Sequence, residues 1–176
     1  MPDHGRRTGI RDVQTYASPS RRSVAAGLAS APTGVCSVSV ATPSVKSLGS
    51  VAETREIRIA VVPQFVPEES DPRELKYVFS YRVRITNNSQ TPVKLLNRRW
   101  RIVDAHGGEQ EARGEGVVGQ QPRLEAGQSF EYSSWCPLRT SWGTMEGFYT
   151  FATDSGEKFD ARIERFFLVY PKDQRR

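Results

Sequence analysis

The chain has 176 residues, 37% of them hydrophobic, enough for one ordinary domain with a true core. Its formal net charge is +5, but residues 1–50 hold Arg6, Arg7, Arg11, Arg21, Arg22 and Lys46 against Asp3 and Asp12, a net +4 that leaves only +1 elsewhere. That near-balance gives a dedicated nucleic-acid-binding domain little support, and no apolar run approaches the roughly 20 residues of a membrane span.

In chain order, residues 1–50 come first: Ser, Ala, Thr, Val and Arg, with prolines at 2, 19, 32 and 43 and almost no large apolar side chains. Such a segment buries too little surface to offset its ordering entropy, so a disordered tail is expected. A translation start misplaced upstream of Val51 is the other ready explanation, and both rank ahead of an organelle-targeting segment. The folded domain is expected over 51–176.

From Thr54 the pattern alternates with a period of two. Ile57, Ile59 and Val61 share a face. Lys76–Asn87 is the clearest strand, with Tyr77, Phe79, Tyr81, Val83 and Ile85 on one parity and Lys76, Ser80, Arg82, Arg84 and Thr86 on the other. Asn87–Pro92 reads as a turn. Val93–Asp104 follows, with Leu96, Trp100 and Ile102 as its apolar set and Arg99 and Arg101 outward. A turn at His106-Gly107-Gly108 returns a strand over Glu109–Val118. Ser129–Ser134 places Phe130 and Tyr132 inward, and Gly143–Thr153 has Met145, Tyr149 and Phe151 in phase. Asp154–Glu157 is a hairpin turn. In Lys158–Tyr170 the parity slips between Ile163 and Phe166, which predicts a bulge near Glu164-Arg165. About seven or more strands without crossover helices make an all-β, antiparallel sandwich.

Candidate chemistry is sparse. Gly114, Gly116 and Gly119 give the spacing of a dinucleotide fingerprint, but Pro122 and Gly127 prevent the helix whose N-terminus would hold a pyrophosphate. Backbone N–H groups of Gly114–Gly119, helped by Arg113 and Arg123, would form an anion nest for a phosphate or nucleotide, a reading that ranks behind a purely structural one. The alternative is that the glycines serve backbone geometry at a sandwich corner. Glu109, Glu111, Glu115 and Glu146 lack the convergent spacing of a hard-cation site. His106 is the only histidine outside the tail, so neither an imidazole-bound metal nor a nucleophile–base pair is expected. Cys36 and Cys136 give no disulfide framework and imply a reducing, cytoplasmic setting; Cys136 reads as a loop or strand-edge residue. Trp135, Arg139 and Trp142 flank a polar loop at 136–141, and these residue types are enriched at binding hot spots, which makes that loop the expected partner-facing end.

Trp100–Ala105, Arg113–Pro122, Gly127 and Gly143–Tyr149, in that order and spacing, resemble the ApaG family over about Thr54–Pro171. The resemblance implies a fibronectin-type-III-like or immunoglobulin-like sandwich and a name attached to cobalt resistance and magnesium efflux. Its eukaryotic relatives, appended to F-box and polymerase-interacting proteins, imply a protein-interaction module with no agreed biochemical activity. The basic extension departs from the short bacterial form, and Trp135 and Cys136 stand where small polar residues are expected. The combined expectation is a non-enzymatic binding module without metal or cofactor, monomeric or homodimeric. Its partner would be an unidentified protein, and neither nucleic acid nor membrane. The alternative is a phosphate- or nucleotide-sensing domain built on 113–119.

Overall fold

A computed structural model describes residues 48–171, so the expectations for the basic N-terminal segment lie outside the described residues, save its last three. Nine strands are present: β1 (Ser50–Thr54), β2 (Ile57–Phe65), β3 (Tyr77–Asn87), β4 (Val93–Asp104), β5 (Glu109–Glu115), β6 (Arg123–Leu124), β7 (Ser129–Leu138), β8 (Trp142–Thr153) and β9 (Lys158–Val169). They form two antiparallel sheets, the first ordered β1-β2-β3-β7 and the second β5-β4-β8-β9, with β6 continuing along the β5 side of β4. This is the sandwich that the alternation predicts.

The alternation sets the layers. On β3, Tyr77, Phe79, Tyr81, Val83 and Ile85 are buried, and β2 opposes them with Ile57, Ile59 and Val61 in register. Trp100 of β4 centres the core, its indole 5.6 Å from the ring of Tyr81 and 5.9 Å from those of Tyr149 and Phe166, all three near edge-to-face. Such pairs contribute about 0.5–1.5 kcal/mol each beyond the apolar area they bury.

Four local readings change. Leu96 is not part of the apolar face: the register with β8 shifts between Leu95 and Asn97, so Leu95 is buried before the irregularity and Trp100 after it. The extra residue inverts the parity that simple alternation assigns. The strand expected over 109–118 ends at Glu115, because Gly116 turns away at φ 54. The segment 136–138 is no loop but the end of β7, and Cys136 and Leu138 are core residues. Residues 48–50 belong to the fold: Phe167 N–H donates to the carbonyl of Leu48 (2.9 Å) and the Ser50 hydroxyl to that of Glu164 (2.6 Å), joining the two sheets along the β1–β9 seam. The slip in β9 is a bulge as expected, since Met145 opposes Phe166 but Gly147 opposes Ile163.

Candidate functional site

The glycine-spaced corner lies where β5 leaves β4. Gly116 N–H donates to the carbonyl of Leu96 (2.7 Å), and the Gln121 side-chain amide donates to the same oxygen (3.1 Å), which satisfies the backbone at the β4 irregularity. Val117 and Gln120 exchange both backbone bonds, at 2.8 and 2.9 Å, around Val118 and Gly119, whose φ values of 56 and 69 are those of a tight hairpin turn. A Cβ at Gly116 would fall 2.1 Å from the carbonyl oxygen of Gln120. Gly114 sits under the Arg98 guanidinium, which donates to the carbonyls of Glu115 and Gly116 at 3.0 and 2.8 Å. The amides of Gly116, Val117 and Gln120 are therefore engaged within the chain. Arg113 is paired with Glu111 at 2.8 Å, and Arg123 with Glu125 and Asp154.

The four acids have separate fates. Glu109 pairs with Arg101, Glu111 with both Arg99 and Arg113, and Glu146 with Arg101 (2.9 Å) and Arg165 (3.1 Å). Arg113, then Arg99, pulls the Glu111 carboxyl down to about 2. Arg101 lowers Glu109, and Arg165, with a smaller part from Arg101, lowers Glu146. Glu115 has no ion pair among the described residues. Glu109, Glu111 and Glu146 serve a lattice of ion pairs on the outer face of the second sheet, and among the described residues no three His, Cys, Asp or Glu side chains converge as a metal site would require. Cys136 is buried, and burial pushes its thiol up to about 12, the opposite of an activated nucleophile.

Trp135 and Trp142 are not brought together. Trp135 projects outward from the first sheet, opposite Ser80 of β3, while Trp142 opens β8 on the outer face of the second. Arg139 is exposed in the short connection between them, where the buried Thr140 holds the turn by accepting from Ala105 N–H (3.2 Å) and donating to the carbonyl of Trp142 (2.8 Å).

Trp142 has other company. It is 46% exposed, and on the same outer face stand Phe148 (43%) and Phe167 (44%). Phe167 lies opposite Thr144, diagonal to Trp142, and Phe148 lies between Arg99 on β4 and Arg162 on β9. A shallow groove of about 680 Å³ surrounds Phe148, lined by Arg99, Arg101, Glu111, Glu146 and Arg162. At about 3.3 Å per strand residue, Trp142 and Phe148 are roughly 20 Å apart, the breadth of a protein contact. The sequence already contained this signal. With Met145, Tyr149 and Phe151 inward, Phe148 falls on the polar parity, and the β9 bulge puts Phe167 there too.

Two antiparallel sheets closed over an aromatic core define a class, the small fibronectin-type-III-like sandwiches. The ApaG domain model matches residues 67–153. Protein ApaG of Methylobacterium sp. (strain 4-46) is 56% identical over 124 residues, covering 70% of this chain and 95% of that protein. Protein ApaG of Agrobacterium fabrum is 49% identical over 120 residues, covering 68% of this chain and 92% of that protein. The crystal structure of the putative ApaA protein from Bordetella pertussis superposes with a TM-score of 0.65 at 46% identity, covering 66% of this chain and 95% of that one. The chain belongs to the ApaG family.

Proposed function

We propose that this domain is a non-enzymatic binding module that engages a protein partner through the outer face of its second sheet. The observation that carries this reading is the alignment of Trp142, Phe148 and Phe167, each more than two-fifths exposed, on one face. Aromatic side chains framed by arginines are the residue types that dominate protein-binding hot spots, and folding alone gives no reason to leave three of them in water. The ion-pair lattice around Phe148 holds the arginines in place before a partner arrives, which lowers the ordering cost of association.

Any link to cobalt or magnesium handling would run through that partner, since Glu109, Glu111 and Glu146 are already neutralised by arginines. The phosphate-sensing alternative has less support, because the amides of Gly116 and Val117 and the Arg113 guanidinium have partners within the chain. Cys136 is buried with its thiol pushed up by burial and His106 is exposed in a turn, which fits binding better than nucleophilic catalysis.

The test is quantitative affinity purification of the full chain from its native cells, compared with a Trp142→Ser/Phe148→Ser/Phe167→Ser variant whose circular dichroism is unchanged. Loss of one or more partners from the variant is expected, and an identical set of partners would remove the proposal.

A further inference from the structure

The two outer faces of the sandwich treat their arginines differently. On the second sheet Arg99, Arg101, Arg113, Arg162 and Arg165 each have a carboxylate within 4 Å. On the first sheet Arg84 is paired with Glu131 at 3.3 Å, but neither Arg58 nor Arg82 meets a carboxylate among the described residues. The face that carries Trp135 therefore holds an arginine, Arg82, that no carboxylate neutralises among the described residues, while Arg58 stands across from Glu53.

That face has a trough. It encloses about 540 Å³ and is lined by Val62, Gln64, Ser80, Arg82, Ser133 and Trp135. Ser80 lies opposite Trp135 and Ser133 opposite Arg82, so small side chains alternate with the two large ones across the β3–β7 pair. Val62, 56% exposed, lies opposite Arg82 on the other side and supplies an apolar wall. The Trp135 indole N–H has no acceptor among the described residues, and an indole only donates. The trough is thus lined by an arginine, a tryptophan and two serines beside an apolar wall, with no acid lining it.

We propose that this trough docks an acidic linear peptide segment, a carboxylate meeting Arg82 and the Trp135 N–H and an aliphatic side chain resting on Val62 and the indole. Charge-assisted bonds from a guanidinium to a carboxylate are the strong polar contacts available to such a site. A peptide fits better than a nucleic acid strand, which needs a continuous basic track along its phosphates. Here Arg84 and Arg58 stand across from Glu131 and Glu53, acids that break any such track, and residues 51–176 carry a net charge of only +1. This trough lies on the opposite side from Trp142, Phe148 and Phe167, so each surface can fail without the other.

The experiment uses the full chain labelled with ¹⁵N and three probes: a decapeptide with four Glu and two Leu, its Lys-for-Glu counterpart, and a ten-nucleotide oligothymidine. The acidic peptide is expected to shift the Trp135 indole resonance and the amides of Ser80, Arg82 and Ser133. Its affinity should fall at least tenfold in Arg82→Glu, less in Arg82→Gln, and should weaken with added salt. Both substitutions are on an exposed position and leave the core untouched; Trp142→Ser should bind the peptide as the parent does. Three results would each overturn the proposal: no shift at Trp135, equal affinity in Arg82→Glu, or tighter binding of the lysine peptide or oligothymidine than of the acidic peptide.

Discussion

The hydroxyls of Tyr132 and Tyr149 meet inside the sandwich, tying β7 of the first sheet to β8 of the second through the core. Burial drives both phenols above the ordinary tyrosine range, so neither ionises at physiological pH. Tyr149→Phe would orphan the Tyr132 hydroxyl in an apolar setting, at a cost of about 1–3 kcal/mol. Tyr132→Phe/Tyr149→Phe removes both polar atoms and should be more stable than Tyr149→Phe alone. Urea unfolding of these two variants and of Tyr132→Phe measures this, and strictly additive losses would show that the pair does not act as a unit.

Gly116 and Gly119 both have positive φ, but for different reasons. At Gly119 nothing lies within 4 Å of an added Cβ, so Gly119→Ala should cost only the left-handed backbone penalty of roughly 1–2 kcal/mol. At Gly116 the same methyl would strike the Gln120 carbonyl, which is held in the turn by Val117 N–H. Gly116→Ala should therefore lose clearly more stability than Gly119→Ala. Equal losses in denaturant melts would refute the close-approach explanation.

The thiol of Cys136 should resist alkylation by iodoacetamide at pH 8 in the folded protein and react on unfolding. The sign of its pH effect follows from linkage. Folding raises its value from 9.0 to about 12, so the stability it contributes is complete below pH 9 and is lost as pH climbs from 9 toward 12. Tyr81, raised by burial from 10.0 to about 12, adds a second loss that starts about one pH unit later. Cys136→Ala should delay the onset of alkaline destabilisation, and stability–pH curves of the two proteins give the comparison.

On the acid side the sign reverses. Arg113 and Arg99 depress Glu111 from 4.5 to about 2, so the stability it provides is intact above pH 4.5 and disappears as pH falls toward 2. The side chain is exposed, so the effect is small and weakens in salt. Carbon-detected NMR titration should place the Glu111 midpoint well below 4.5 at low ionic strength and closer to it in Arg113→Gln. A midpoint near 4.5 in the parent would show that the lattice is not formed in solution.

Period-two alternation made the sandwich legible because buried and more exposed positions trade places along most of β2, β3 and β8. It also exposed the β9 bulge, where the apolar parity changes openly between Ile163 and Phe166. What stayed hidden had no side-chain signature. The β1–β2 hairpin turns through Arg55 and Glu56 at φ 47 and 61, a conformation usually announced by Asn-Gly. The β4 irregularity could not be read because Leu95 and Leu96 are chemically equivalent, and only the pairing with β8 decides which is buried. The separation of Trp135 from Trp142 depends on the chain changing sheets between them, a tertiary fact. Phe148 and Phe167 were readable by parity, since each is an aromatic on a polar face.

The central claim is that Trp142, Phe148 and Phe167 form one contact surface. Its most direct measurement is photo-crosslinking in native cells, with p-benzoylphenylalanine placed singly at 142, 148 and 167 and, as a control, at the exposed Glu157 in the β8–β9 turn. A shared cross-linked protein from the three aromatic positions, absent from position 157, is the predicted result. Adducts no more abundant at 142, 148 and 167 than at 157 would contradict it.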